Sequence, residues 1–135
     1  MSINDVIYQK VADAFCEALA LDDDEVELTS LVIDDLGAES LDFLDIAFRL
    51  ERAFGIKIPR GEIQRAAEQN AGEAFEVAGK LTESGALALQ EALPEVDATA
   101  IVAGFPVREI PRLFTVETFY NMVTNLLAEK ESSDD

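Results

Sequence analysis

Apolar residues recur at a helical period along most of this chain, and no stretch alternates helix-like with strand-like patterning. That restricts the fold to an all-α arrangement built on amphipathic helices. The first runs from Ile3 to Ala20, with Ile3, Ile7, Val11, Ala14 and Ala18 on one face and Phe15 and Leu19 widening it. A connection from Leu21 to about Glu39 carries Leu28, Leu31, Val32, Ile33 and Leu36, enough apolar character to pin it to a core. A second helix opens near Ser40 and ends at Phe54, where Gly55 supplies the C-terminal stop. Ile56 to Pro59 reads as a short extended connection.

Beyond Pro59 the pattern is weaker. Glu62 to about Lys80 reads as helical through Ile63, Ala67, Ala74, Phe75 and Ala78, with Gly72 as a flaw. Ser84 to Leu93 reads as another helix, stopped by Pro94, and Asp97 as the N-cap of Ala98 to Ala103. Phe105 to Pro111 reads as extended. A last helix starts behind Thr115 and carries Val116, Phe119, Tyr120, Val123 and Leu127. The expectation is one domain over 1–135, with 60–111 as a helical insertion and 129–135 as a frayed acidic tail.

The residues that are missing narrow the chemistry. There is no histidine and one cysteine among 135 residues. Histidine-dependent triads, Cys-cluster zinc sites and a disulfide framework are therefore excluded. Cys16, at the edge of the first helix's apolar face, reads as a small filler with no base beside it in sequence. Asp22-Asp23-Asp24-Glu25-Val26-Glu27 lacks the spacing and the glycine of a calcium-binding loop, so no metal site is expected. No apolar run is long enough to span a bilayer, and the opening residues lack a signal-peptide layout.

Charge is the other constraint. Asp and Glu number 28 against 10 Lys and Arg, a formal net charge of −18. No basic residue falls between Lys10 and Arg49, a stretch with twelve acids; Arg49, Arg52, Lys57, Arg60 and Arg65 then follow closely. Nucleic acid and anionic membranes are disfavoured as partners, and proteins with basic patches are attracted.

Projected at 100° per residue, the helix from Ser40 places Phe43, Ile46, Ala47, Leu50 and Phe54 on a core face. A second apolar stripe, Leu41, Leu44 and Phe48, is flanked by Asp45, Glu51 and Arg52. Such a stripe is either covered by the 60–111 segment or is a docking surface. Ser40 opens this helix. It is either a plain N-cap or a serine modified by an anion, which the positive end of a helix favours. Nothing in the chain would activate its hydroxyl, so a chemically used Ser40 needs another enzyme.

The run Ile33-Asp34-Asp35-Leu36-Gly37-Ala38-Glu39-Ser40-Leu41-Asp42-Phe43-Leu44-Asp45-Ile46, continued by Phe54-Gly55-Ile56-Lys57-Ile58-Pro59, resembles the bacterial type II acyl carrier proteins. It is most similar to the specialised carriers for very-long-chain acylation of lipid A. The resemblance implies a helical bundle in which Ser40 bears 4′-phosphopantetheine, whose thiol holds acyl groups as thioesters. It implies partner recognition by Glu39, Leu41, Asp42, Leu44, Asp45, Phe48 and Glu51. It also implies a carrier without catalytic residues, active in fatty acid or lipid A and lipopolysaccharide biosynthesis. The partners it implies are a phosphopantetheinyl transferase and acyl-loading and acyltransferase enzymes with basic docking patches, meeting a cytoplasmic monomer that does not insert into membranes. Ile3–Ala20 and Leu113–Leu127 resemble the family's first and last helices.

Three features depart from the family pattern: about 50 residues where a short third helix is usual, Glu39 in place of aspartate, and basic Arg49 and Arg52. They imply additional helices between the second and last family helices, and a restricted set of partners. Two other readings remain: a non-carrying acidic adaptor that binds basic partners, and a carrier of polyketide or aminoacyl units. The Gly37-Ala38-Glu39-Ser40 context favours acyl cargo over the latter.

Overall fold

The structure is a computed structural model that describes residues 4–58 and 74–133. It divides into two compact units, Met1–Ile58 with Phe114–Asp135, and Pro59–Leu113.

In the first unit, α1 spans Asp5–Leu19, α2 spans Ser40–Phe54, and the chain's last helix spans Val116–Ser133. Asn4 starts α1 by accepting the amides of Val6 and Ile7, each at 3.1 Å. Ala20 ends it in the left-handed region at φ +57°. The α1–α2 connection is pinned, as its apolar content requires. Val32 N–H donates to Phe114 O at 3.0 Å and Val116 N–H to Ser30 O at 3.1 Å, so the loop lies along the lead-in to the last helix. That helix is capped within the core: Thr115 Oγ1 accepts the Thr118 amide at 3.2 Å while Thr118 Oγ1 accepts that of Thr115 at 3.0 Å. It continues through Ser133, past Glu129 where the sequence suggests fraying.

The core of this unit gathers Val11 and Phe15 from α1, Val32 from the loop, Ile46 and Leu50 from α2, and Val116, Phe119 and Val123 from the last helix. Phe119 is its hub. Phe15 meets it edge-on at 5.3 Å between ring centroids, and Phe114 at 6.2 Å. The Tyr120 hydroxyl accepts the Asn4 amide at 2.8 Å, tying the start of α1 to the last helix.

The second unit departs from the sequence expectation. The anticipated helix over Glu62–Lys80 lies outside the described residues as far as 73. Its remainder is an antiparallel hairpin of β1, Glu76–Val77, and β2, Lys80–Leu81. Ala78 and Gly79 form the two-residue turn with φ of +53° and +79°, the left-handed pair that suits the strand twist. The chain returns beside β2, where Leu81 N–H donates to Phe105 O at 2.9 Å and Gly104 N–H to Leu81 O at 2.8 Å. Between them α3 spans Glu83–Ala92, close to the expected helix. Thr82 caps it by accepting the Gly85 amide at 2.9 Å. Gly85 is required there, since a Cβ would sit 2.0 Å from Phe75 O. Asp97 caps only a 3₁₀ turn, Ala98–Ala100. The stretch expected to be extended as far as Pro111 is instead a 3₁₀ helix, Val107–Leu113, opened by Glu109 N–H donating to Pro106 O at 3.0 Å. Phe75, Leu81, Leu89, Leu93, Ile101 and Ile110 are buried in this unit.

The chain is thus mainly helical, with one small hairpin. Among the described residues no helix is long and apolar enough to cross a membrane, and no cluster of side chains is arranged to hold a metal ion.

Candidate functional site

The approach to α2 is built by a tight loop. Asp35 Oδ2 accepts the Leu31 amide at 2.8 Å, and Gly37 N–H donates to Ile33 O at 3.0 Å. Gly37 holds φ +75°, a conformation costly for any residue with a Cβ. Ala38 then buries its methyl in the core, and its amide donates to Val32 O at 3.1 Å. These contacts deliver the chain to the first turn of α2 in one orientation.

The N-cap is Glu39, extended at φ −110°, ψ 174°, and Ser40 is the first helical residue. This corrects the plain N-cap reading of Ser40. The reason is Asp42, whose Oδ2 accepts the Glu39 amide at 2.8 Å and so fixes the cap one residue earlier. At the other end Gly55, at φ +66°, donates its amide to Glu51 O at 2.8 Å. Lys130 Nζ donates to Gly55 O at 2.9 Å, a favourable placement for a cation at a helix C-terminus.

The outer face of α2 carries the residues singled out in the sequence. Leu41 is 80% exposed and Phe48 55%, while Leu44 is half-buried. Leu50 and Ile46, on the opposite face, are fully buried. Glu39 is exposed and Asp42 caps the helix. Asp45 accepts from Arg49 Nε at 2.8 Å, and the same guanidinium donates to Glu17 of α1 at 3.0 Å through Nη1. Glu51 Oε2 accepts the Ile58 amide at 2.7 Å, fastening the chain that leaves α2. The structure thus brings Leu41, Asp45 and Phe48 to one exposed face and gives Glu51 a structural partner. Sequence reasoning missed Glu17 and Lys130. The Asp45–Arg49 spacing of four was legible, but contacts reaching α2 from other helices leave no local signal.

A family model described as the phosphopantetheine attachment site matches residues 9–68. A protein named acyl carrier protein from Campylobacter hominis is 39% identical over 59 residues, covering 44% of this chain and 75% of that protein. The chain belongs to the acyl carrier protein family. A Clostridium acetobutylicum acyl carrier protein is 37% identical over 60 residues, covering 44% of this chain and 78% of its own length. An acyl carrier protein named AcpXL from Brucella melitensis is 54% identical over 52 residues, 38% of this chain and 56% of that protein. The chain therefore spans little more than half the length of its AcpXL relatives.

The family's prosthetic group is 4′-phosphopantetheine, attached covalently. The first turn of α2 suits its phosphate. The first amides of any α-helix lack an acceptor within the helix, and the helix dipole adds positive potential there. The nearest acid within the helix, Asp42, has one oxygen directed at the Glu39 amide.

Proposed function

We propose that this protein is an acyl carrier whose Ser40 bears 4′-phosphopantetheine. The observation that carries the reading is the position of Ser40. It is the first residue of α2, directly behind the Gly37 turn and the Glu39 cap, inside the segment matched by the attachment-site family model. When attached, the group supplies a flexible arm ending in a thiol that holds an acyl chain as a thioester. The chain's own part is to present Ser40 at the head of a helix whose outer face, through Glu39, Leu41, Asp42, Asp45 and Phe48, meets the transferase and the acyl-handling enzymes.

The cargo we infer is an acyl chain handled by a specialised system, in fatty acid or lipid A and lipopolysaccharide biosynthesis. The AcpXL relatives and the Ile33–Ile46 wording support it. The test is mass spectrometry after incubation with coenzyme A, magnesium and a phosphopantetheinyl transferase. Wild type gains one phosphopantetheinyl group and Ser40→Ala gains none. A wild type left unmodified by several transferases of different specificity would make the protein a non-carrying adaptor. Intact mass of the protein from its native source then reads the cargo.

A further inference from the structure

We propose that Arg49 sets the partner selectivity of α2 by masking Asp45, so that a basic group on a partner must displace an arginine before it reaches that carboxylate. The proposal rests on the carrier reading above. On an acidic docking helix each exposed carboxylate is open to any partner with a basic patch. Here Arg49 already takes the place such a partner would use. Its Nε lies 2.8 Å from Asp45 Oδ1, and its Nη1 lies 3.0 Å from Glu17 Oε2 on α1. The guanidinium is held from two helices, which restrains it from swinging aside.

All three side chains are more than a third exposed, so the clasp lies at the surface, within a partner's reach. Exposed pairs of this kind add little to stability. Arg52, three residues on, is exposed as well, and no ion pair reaches it among the described residues. The masking therefore belongs to Arg49 and not to positive charge on α2 in general. The partner that fits places its basic side chains against the first turn, at Glu39 and Asp42, instead of spreading them along the helix.

The experiment compares kcat/KM for modification of the whole protein by one phosphopantetheinyl transferase with a basic docking face, at low ionic strength. Arg49→Gln raises it about fivefold, the factor carried by two unit charges about 4 Å apart in water. Arg52→Gln, which removes the same charge without freeing Asp45, changes it less than about twofold. Asp45→Asn costs more in the Arg49→Gln background than in wild type, and added salt erases the difference. The melting temperature of Arg49→Gln stays within a few degrees of wild type, separating masking from a folding defect. Equal acceleration by Arg49→Gln and Arg52→Gln overturns the proposal, since net charge alone then explains it. So does an equal cost of Asp45→Asn in both backgrounds. A wild type that accepts no group at all overturns the carrier reading instead, and this proposal with it.

Discussion

Leu41 and Leu50 lie nine positions apart on α2 and differ chiefly in what they touch. Leu50 is fully buried beside Ile46, Val11 and Val123, whereas Leu41 is 80% exposed. Truncating each to alanine removes the same atoms at nearly unchanged helix propensity. At Leu50 the lost transfer energy and the residual cavity together cost about 3 kcal/mol, within the range of roughly 2–5 for buried leucine. At Leu41, 80% exposed, only about a fifth of the full burial energy of a leucine is at stake, so the cost is about 0.5 kcal/mol. For a unit of roughly 80 residues these figures correspond to a melting temperature lower by about 12–24 °C for Leu50→Ala and by less than about 4 °C for Leu41→Ala. Urea denaturation followed by far-ultraviolet circular dichroism reads both as midpoint shifts at constant slope. The functional readout runs the other way, with Leu41→Ala slowing modification of Ser40 while the fold stays intact. A cost above about 2 kcal/mol for Leu41→Ala would show its face to be covered, and would refute the docking role.

Gly85→Ala forces a Cβ to within 2.0 Å of the Phe75 carbonyl oxygen, so α3 must shift from the hairpin; amide exchange across Glu83–Ala92 should accelerate by well over tenfold. Cys16 should resist alkylation. Burial above all, then its hydrogen bond to Asp23 and the acids Asp23, Asp13 and Asp22, push its thiol up to about 11. At pH 9 iodoacetamide should therefore react at least about tenfold more slowly with the folded than with the urea-unfolded protein. The sign for stability follows. The folded state holds this proton more tightly, so the contribution is complete below the unfolded value near 9 and is lost as pH rises towards 11. Equal alkylation rates in the two states would refute the assigned environment.

The parts of the fold that were legible share a cause: local rules and tertiary packing agree there. Gly55 stops α2 where its sequence says it should, Thr115 caps the last helix, and Phe43, Ile46, Leu50 and Phe54 take the core side as the 3.6-residue period places them. The hairpin was not legible because its turn puts Ala78 at φ +53°. Alanine carries no signal for that region, and the surrounding alanine-rich run scores as helix. The demand at Gly85 was hidden for another reason, since it comes from Phe75 across space. At the site, Ser40 at the head of α2 was right to one position. The shift to Glu39 as cap came from a reciprocal pair: the Glu39 side chain accepts the Asp42 amide, and Asp42 Oδ2 accepts the Glu39 amide.

The acids of α2 show why charge and contact have to be separated in reading such a surface. Asp42 accepts the Glu39 amide, Asp45 is clasped by Arg49, and Glu51 accepts the Ile58 amide. A carboxylate bonded to a neutral amide gains no compensating charge from it, so Asp42 and Glu51 still contribute to the negative field around α2. What they lose is freedom to reorient, because moving either one unfastens an end of the helix. Asp45 differs: its partner is a cation, so both its far field and its near contact are reduced until Arg49 is displaced. The twelve acids between Lys10 and Arg49 thus set a negative field at long range, while at short range the α2 carboxylates are oriented by their internal contacts. Beside Ser40, Glu39 and Asp42 hold each other through the capping box: the Glu39 side chain accepts the Asp42 amide and Asp42 Oδ2 accepts the Glu39 amide, so their charges are fixed in place at the head of the helix.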